Sequence, residues 1–463
     1  MYTSRFDRIH TEVLPVTNPT NALNRRDFIK RAGITSVSAG MALSAASARI
    51  LGANDRVRVG VLGTGRQGTG DLNDFKIQPD VEIVAVCDVY EPNLQKGLAA
   101  TDGKAQTYKD FRQVLDRKDI DAIVVGSPDH WHALMAVEAC KAGKDVYVEK
   151  PICCAVEEGK MMVECARKHN RVVQVGTQQR SAVHFQEAVK LVQQGYLGKV
   201  TFARTWNYSN EYPEGIGNPP DSAPPPDLDW DAWLGPAPKV PFNRNRFGVG
   251  DRWSTFRYFW DYAGGLMTDW GIHLMDIVQW AMQVDGPEAI VAAGGKFYIE
   301  DNAEIPDTLQ VTYQYPHFVA VYENRWDNGN SMYGHGYGIE FHGTDATMFV
   351  DRGGFEVFPE TRTSGRDAKR TMNRAPSMKM ESANNDHVDH IRNFLDCMKS
   401  RQRPISDIEI GHRSTSTCLL GNVAYRSGSR VTWDVARQEI KEGGHDAGRF
   451  LARRYRSPWE LSV

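Results

Sequence analysis

Gly63-Thr64-Gly65-Arg66-Gln67-Gly68 carries three glycines at the spacing that lets a backbone wrap a pyrophosphate. The first allows a tight turn, the second a close phosphate, and the third close packing of helix on strand. Asp88 lies twenty residues beyond Gly68. A carboxylate there accepts hydrogen bonds from both ribose hydroxyls and repels a 2′-phosphate, so these residues point to NAD rather than NADP. Arg66 and Gln67 fall at the start of the next helix, where free N–H groups and the helix dipole favour phosphate.

Three further groups could do chemistry. Ser127-Pro128-Asp129-His130-Trp131-His132 follows an apolar run, and ligands bind at the carboxyl ends of such strands. Ser127, Pro128 and His132 are cofactor-contact candidates, although His132 could equally cap or pack its own helix. Glu149-Lys150-Pro151 also follows a strand-like run. The proline holds Lys150 extended; elsewhere the same tripeptide would be a solvated turn. In Gly264-Gly265-Leu266-Met267-Thr268-Asp269-Trp270-Gly271-Ile272-His273, Asp269 and His273 are four apart and would share a helical face. Histidine is the usual base near neutral pH and a carboxylate can orient it. Alone, the two would also read as a structural pair. The spacing gives too few ligands for a metal.

The elements that must position these groups are legible around them. Runs at 57–62, 81–87, 120–125, 145–148 and 172–175 are continuous and apolar, as expected of strands buried on both faces. Helical patterns at 65–75, 130–142 and 156–169 alternate with them, which predicts a doubly wound parallel sheet. Residues 207–262 are rich in Pro, Gly, Asn and aromatics. A helix is expected over 266–282, then strands at 289–299, 308–315, 319–324, 339–342 and 347–350, several alternating apolar with polar. That is an antiparallel sheet with one wet face. A last helix, 387–399, lines up Val388, Ile391, Leu395 and Met398.

Composition bounds the partners. Net charge is −3 and no basic run lies beyond the N-terminus, which argues against nucleic acid. No later stretch is long and apolar enough for stable membrane insertion. The seven cysteines form no CxxC pair and read as buried thiols. Arg25-Arg26-Asp27-Phe28-Ile29-Lys30, the mild apolar stretch 32–46 and Ala46-Ser47-Ala48 read in order as a twin-arginine export signal with a cleavage site. The expected segments are a signal over 1–48, a dinucleotide-binding domain over 55–176, a substrate and assembly domain over 177–435, and a tail over 436–463.

The fingerprint, Glu-Lys-Pro after a later strand, and Gly-Gly-x-x-x-Asp-x-Gly-x-His occur in the order that resembles the Gfo/Idh/MocA family, over about residues 55–435. The resemblance implies a Rossmann domain followed by an α+β domain with a large, mostly antiparallel open sheet, often an oligomer interface. It implies bound NAD, and a Lys150 that contacts both substrate and nicotinamide. Asp269 and His273 fall on the family's catalytic pair; Glu149 and Gln178 join the cofactor contacts. The aromatic segment and Gly176-Thr177-Gln178-Gln179-Arg180 look most like exported carbohydrate-acting members. Arg180, Asn207 and Arg257 are then candidates for substrate hydroxyls, and Trp260 for stacking on the sugar. Trp206, Tyr208, Trp230, Trp233 and Trp253 are candidates for stacking on sugar.

The implied activity is oxidation of a sugar or glycoside hydroxyl, with Lys150, Asp269 and His273 as the catalytic residues. An exported enzyme has no NAD pool, so the cofactor should stay bound and be re-oxidised in place. A redox-neutral, NAD-dependent glycosidase fits the same residues. A non-catalytic sugar-binding protein is the third reading.

Overall fold

The computed structural model describes residues 56–211, 213–248, 254–332, 334–360, 375–442 and 446–463. The export-signal segment and Trp253 lie outside the described residues.

Six short strands pair in parallel: β1 (Val57–Leu62), β2 (Val81–Cys87), β3 (Gln106–Tyr108), β4 (Ala122–Val125), β5 (Asp145–Val148) and β6 (Val173–Val175). Their order is β3-β2-β1-β4-β5-β6. Every residue of β4 and β5 is buried, as a strand covered on both faces requires. The order reverses between β1 and β4, which opens a crevice at their carboxyl ends. The helix Arg66–Lys76 starts there.

The second sheet has ten strands: β7 (Phe202–Tyr208), β8 (Ala289–Gly295), β9 (Thr308–Gln314), β10 (Val319–Arg325), β11 (Tyr337–His342), β12 (Ala346–Asp351), β13 (Gly354–Pro359), β14 (Met378–Glu381), β15 (Val431–Asp434) and β16 (Glu439–Glu442). They run in the order β14-β13-β12-β11-β7-β10-β9-β8-β15-β16. All neighbours are antiparallel except β7 with β10. The chain is thus an α/β protein with a parallel Rossmann sheet and a large, mostly antiparallel sheet.

Among the differences from the sequence expectation, three lie in the second domain's packing. The helix expected over 266–282 is two helices, Gly265–Asp269 and Gly271–Met282, broken at Trp270. Tyr322 donates its hydroxyl to the Leu266 carbonyl, capping the first piece. A Cβ on Gly271 would lie 2.6 Å from Met267 Cε, so the second piece starts on a residue without a side chain. β8 ends at Gly295 rather than 299, because one oxygen of Asp307 takes the amides of Phe297, Tyr298 and Ile299 out of the ladder. The helix Ile408–Ser427, unmarked in the sequence, packs between Val156–Lys168, Gly271–Met282 and β8.

The segment around 207–262 builds a satellite core of its own from Trp233, Phe242, Phe256, Tyr258, Phe259 and Tyr262 among others. It docks on the first domain through Leu228, which bridges to Tyr90, and through the Glu91 amide on the Asp227 carbonyl. The C-terminal residues return to the same place: Trp459 packs edge-on against Trp131 at 4.9 Å. Among the described residues no helix is long and apolar enough to cross a membrane.

Candidate active site

A cleft of about 710 Å³ opens at the crevice between β1 and β4. Gly63, Gly65, Arg66, Gln67, Asp88, Ser127, Pro128, His132, Glu149 and Lys150 all line it. Gly63 has φ +86°, and a Cβ there would sit 2.6 Å from the Ser127 amide nitrogen. Gly68 stands behind the cleft, where a Cβ would lie 1.9 Å from the Gly63 carbonyl oxygen. Beside Gly65, by contrast, only Asn93 comes near, at 3.7 Å, which leaves the helix N-terminus open to a phosphate.

The oxygens of Asp88 accept the Thr64 and Tyr90 amides at 2.8 and 2.9 Å, which fixes the carboxylate at the rim. Burial raises its pKa, against the pull of those two amides. Of the cations lining this end, Lys109 pairs with Glu91 and Arg112 with Asp110. That arrangement suits a ribose diol better than a 2′-phosphate. The residues present therefore fit NAD.

His132 braces the floor. Its Nδ1 lies 2.7 Å from the Pro151 carbonyl and its Nε2 2.7 Å from the Ser127 carbonyl. Burial pushes its pKa down to about 4, against the two carbonyls, which favour a proton on both nitrogens. It ties the turn after β4 to the turn after β5. Gln178, expected beside the cofactor, is buried in the turn Gln178–Ser181 and does not line the cleft.

At the inner end of the cleft, Lys150 follows β5 and reaches across to the second domain. Its Nζ lies 2.7 Å from Asp269 Oδ1 and 3.2 Å from the Asp269 carbonyl. Arg257 donates its Nε to the same Oδ1 at 3.0 Å. Burial alone would raise the Asp269 pKa, but Lys150 and Arg257 hold it well below the usual range. Asp269 is thus a fixed anion between two cations. No hydrogen bond joins it to His273, because the helix break at Trp270 separates the two. His273 enters from the first turn of Gly271–Met282. Its Nδ1 is buried without a partner, and Gln179 donates to its backbone carbonyl at 3.2 Å. Burial, then Lys150 and Arg352, depress its pKa strongly, so the ring is neutral.

Two carboxyls stand beside this cluster: Glu149, expected at the cofactor, and Asp129, which the sequence left without a role. Burial pushes Glu149 and Asp129 each up to about 7, with Lys150 and Arg257 pulling the other way. A buried oxygen of Asp129 has no partner.

Three substrate candidates lie elsewhere. Arg180 is buried in a two-pronged pair with Asp276, at 2.7 and 2.9 Å, and stacks on Trp280. Asn207 is enclosed within the second sheet, between Asn324 and Tyr337. Trp260 donates its indole N–H to the Glu304 carbonyl and lies under Arg426. Arg257 does reach the cleft, as a partner of Asp269. Of the aromatic candidates, Trp233 lines the cleft and stacks on Trp230 at 4.8 Å. Trp206 and Tyr208 belong to β7 in the second sheet. Sequence reasoning missed Trp459, which also lines the cleft, since no local pattern marks a tail that folds back.

Residues 57–177 match the model of an oxidoreductase family with an NAD-binding Rossmann fold, and residues 181–461 match that family's C-terminal alpha/beta domain. A glycosyl hydrolase family 109 protein of Shewanella pealeana is 34% identical over 173 residues, which is 32% of this chain and 37% of that protein. The chain thus matches little more than a third of that relative's length. A myo-inositol 2-dehydrogenase of Thermotoga maritima is 24% identical over 80% of this chain and 96% of its own. Among solved structures, levoglucosan dehydrogenase with NADH and levoglucosan superposes with a TM-score of 0.61 at 16% identity, over 81% of this chain and 99% of that one. The WlbA dehydrogenase of Bordetella pertussis, with NADH and UDP-GlcNAcA, gives 0.60 at 19% identity, over 82% and 99%. At such identities these structures share the fold. The two family matches together span nearly all described residues, and the chain belongs to the Gfo/Idh/MocA oxidoreductase family, with an NAD-binding first domain.

Proposed function

We propose that this protein oxidises a hydroxyl group of a sugar or glycoside and keeps its NAD through the cycle, a second sugar taking the hydride back as it is reduced. The observation that carries the reading is the Lys150–Asp269–Arg257 cluster, whose Lys150 and Arg257 line the cofactor cleft, with His273 behind it, uncharged in the field of Lys150. Bound NAD would supply the hydride acceptor. The chain's residues do the rest. His273, uncharged, accepts the hydroxyl proton. Lys150 stabilises the developing alkoxide, and Asp269 fixes where the ammonium stands. Arg257 holds Asp269 from the other side.

Retention is supported by the covering of the cleft, whose lining includes Trp233, Phe247, Phe256 and Trp459 from later parts of the chain. It is also what an exported enzyme needs, and the twin-arginine pattern at Arg25-Arg26 supports export to the periplasm. The open face of the ten-stranded sheet is the surface proposed for homo-oligomer assembly.

A second reading is favoured by one observation, the similarity to glycosyl hydrolase family 109 proteins. In it, transient oxidation of a ring hydroxyl acidifies the neighbouring C–H. The glycosidic group is eliminated, water adds, and the carbonyl is reduced again with no net change of cofactor. A chromogenic glycoside separates the readings. Accumulation of reduced nucleotide with the aglycone intact is expected for the oxidoreductase; aglycone release without net reduction would replace it with the glycosidase.

A further inference from the structure

We infer that Arg352 forms a subsite for the carboxylate of an acidic sugar, beside His273 and outside the cofactor cleft; this rests on the sugar-oxidising reading above. Arg352 sits in the tight turn between β12 and β13. The turn is firmly built: Asp351 accepts the Gly353 amide at 2.7 Å and pairs with His335 at 2.8 Å. From it the guanidinium lies 5.0 Å over the Trp270 ring, and its Nε donates to Gln179 Oε1 at 3.4 Å. The same Gln179 donates its Nε2 to the His273 carbonyl at 3.2 Å. Trp270 is itself fixed, 4.7 Å from the Tyr337 ring and 6.3 Å from that of His273. Stacking and Nε thus hold one arginine from the second sheet where its charge acts on His273.

What sets Arg352 apart is its lack of a counter-charge. Arg257 is paired with Asp269 and Arg180 with Asp276. Among the described residues no carboxylate lies within ion-pair distance of Arg352. Its chain neighbour Asp351 is engaged by His335 and the turn amide. Its hydrogen bond to Gln179 uses Nε alone, which leaves the terminal nitrogens as a planar fork. Such a fork matches a carboxylate in two parallel hydrogen bonds. One unbalanced positive charge calls for one negative charge, which favours a uronate over a doubly charged sugar phosphate.

The test is ligand binding to the NAD-loaded protein by calorimetry, with hexuronates, the matched neutral hexoses and hexose phosphates as probes. A hexuronate is expected to bind at least about tenfold more tightly than its neutral match. Arg352→Gln should abolish that preference while bound NAD stays at the parent level, and Arg352→Lys should restore part of it. No hexuronate preferred tenfold, a preference for phosphate, or an unchanged preference in Arg352→Gln would overturn the subsite. Arg352-dependent hexuronate binding without any cofactor reduction would instead leave the subsite standing and remove the oxidation reading.

Discussion

On the cofactor wall the chain's own backbone is the binding surface, while on the facing wall, the one proposed for substrate, the surface is made of charged side chains. Gly63 and Gly68 leave no room for a methyl group, and the Thr64 and Tyr90 amides set Asp88 in place. Across the cleft, Lys150, Arg257 and Asp269 reach one another from three separate elements, and each is set by charge. The difference teaches that the first wall tolerates no change of shape, whereas the second tolerates changes of shape and no change of charge.

The largest expected effect follows from shape. In Gly68→Ala the added carbon has no space beside the Gly63 carbonyl, so the turn must open. The variant should purify without nucleotide; parental NAD content would break the comparison. Next comes charge. Lys150→Ala should retain its NAD and lose about a thousandfold in turnover, as expected for removal of a donor to a developing oxyanion. Turnover within tenfold of the parent would remove Lys150 from the chemistry.

Asp88→Ala tests whether a side chain matters on the backbone wall. It should weaken NAD binding by about ten- to a hundredfold, the worth of one or two hydrogen bonds to a charged group. Unchanged affinity would mean that the ribose is held elsewhere. A smaller effect comes from Glu149. Its folded pKa of about 7 lies above the 4.5 usual for glutamate, so folding holds a proton that the unfolded chain releases. That contribution is fully present below about 4.5 and is lost as pH rises through about 7. Glu149→Gln escapes the loss. Relative to the parent it should gain about 1–3 kcal/mol between about pH 5 and about pH 8 in urea unfolding. A difference independent of pH would contradict the buried-acid account. Smallest is Trp459→Ala, expected to release NAD a few times faster; an unchanged rate would confine the tail to packing.

The two walls were also unequally legible in the sequence. The glycines and Asp88 stand within a short stretch whose spacing implies their roles, and the buried strands β1, β2 and β5 show as mostly apolar runs. The facing wall is assembled by contacts between residues far apart in the chain. β7 pairs with β10 and β11, more than a hundred residues later, and nothing local in Phe202–Tyr208 announces either. The helix Ile408–Ser427 hid because its buried side includes Ser414, Thr417 and Asn422. Their hydrogen bonds go to Asp276, Gln279 and the Gly264 carbonyl, so no apolar stripe marks the helix. Asp269 and His273 were identified as residues, but their geometry turned on a helix break with no proline to mark it. Arg180 looked free because its partner Asp276 lies ninety-six residues away.

The most direct test of the central claim uses the protein as purified, with no NAD added. Its bound nucleotide is identified by mass spectrometry, and the protein is then mixed with a panel of sugars and glycosides while nucleotide reduction is followed. The account predicts bound NAD that one of these substrates reduces in stoichiometric amount in the parent and not in Lys150→Ala. A protein that carries no NAD, or a Lys150→Ala variant that is reduced at the parent rate, would contradict it.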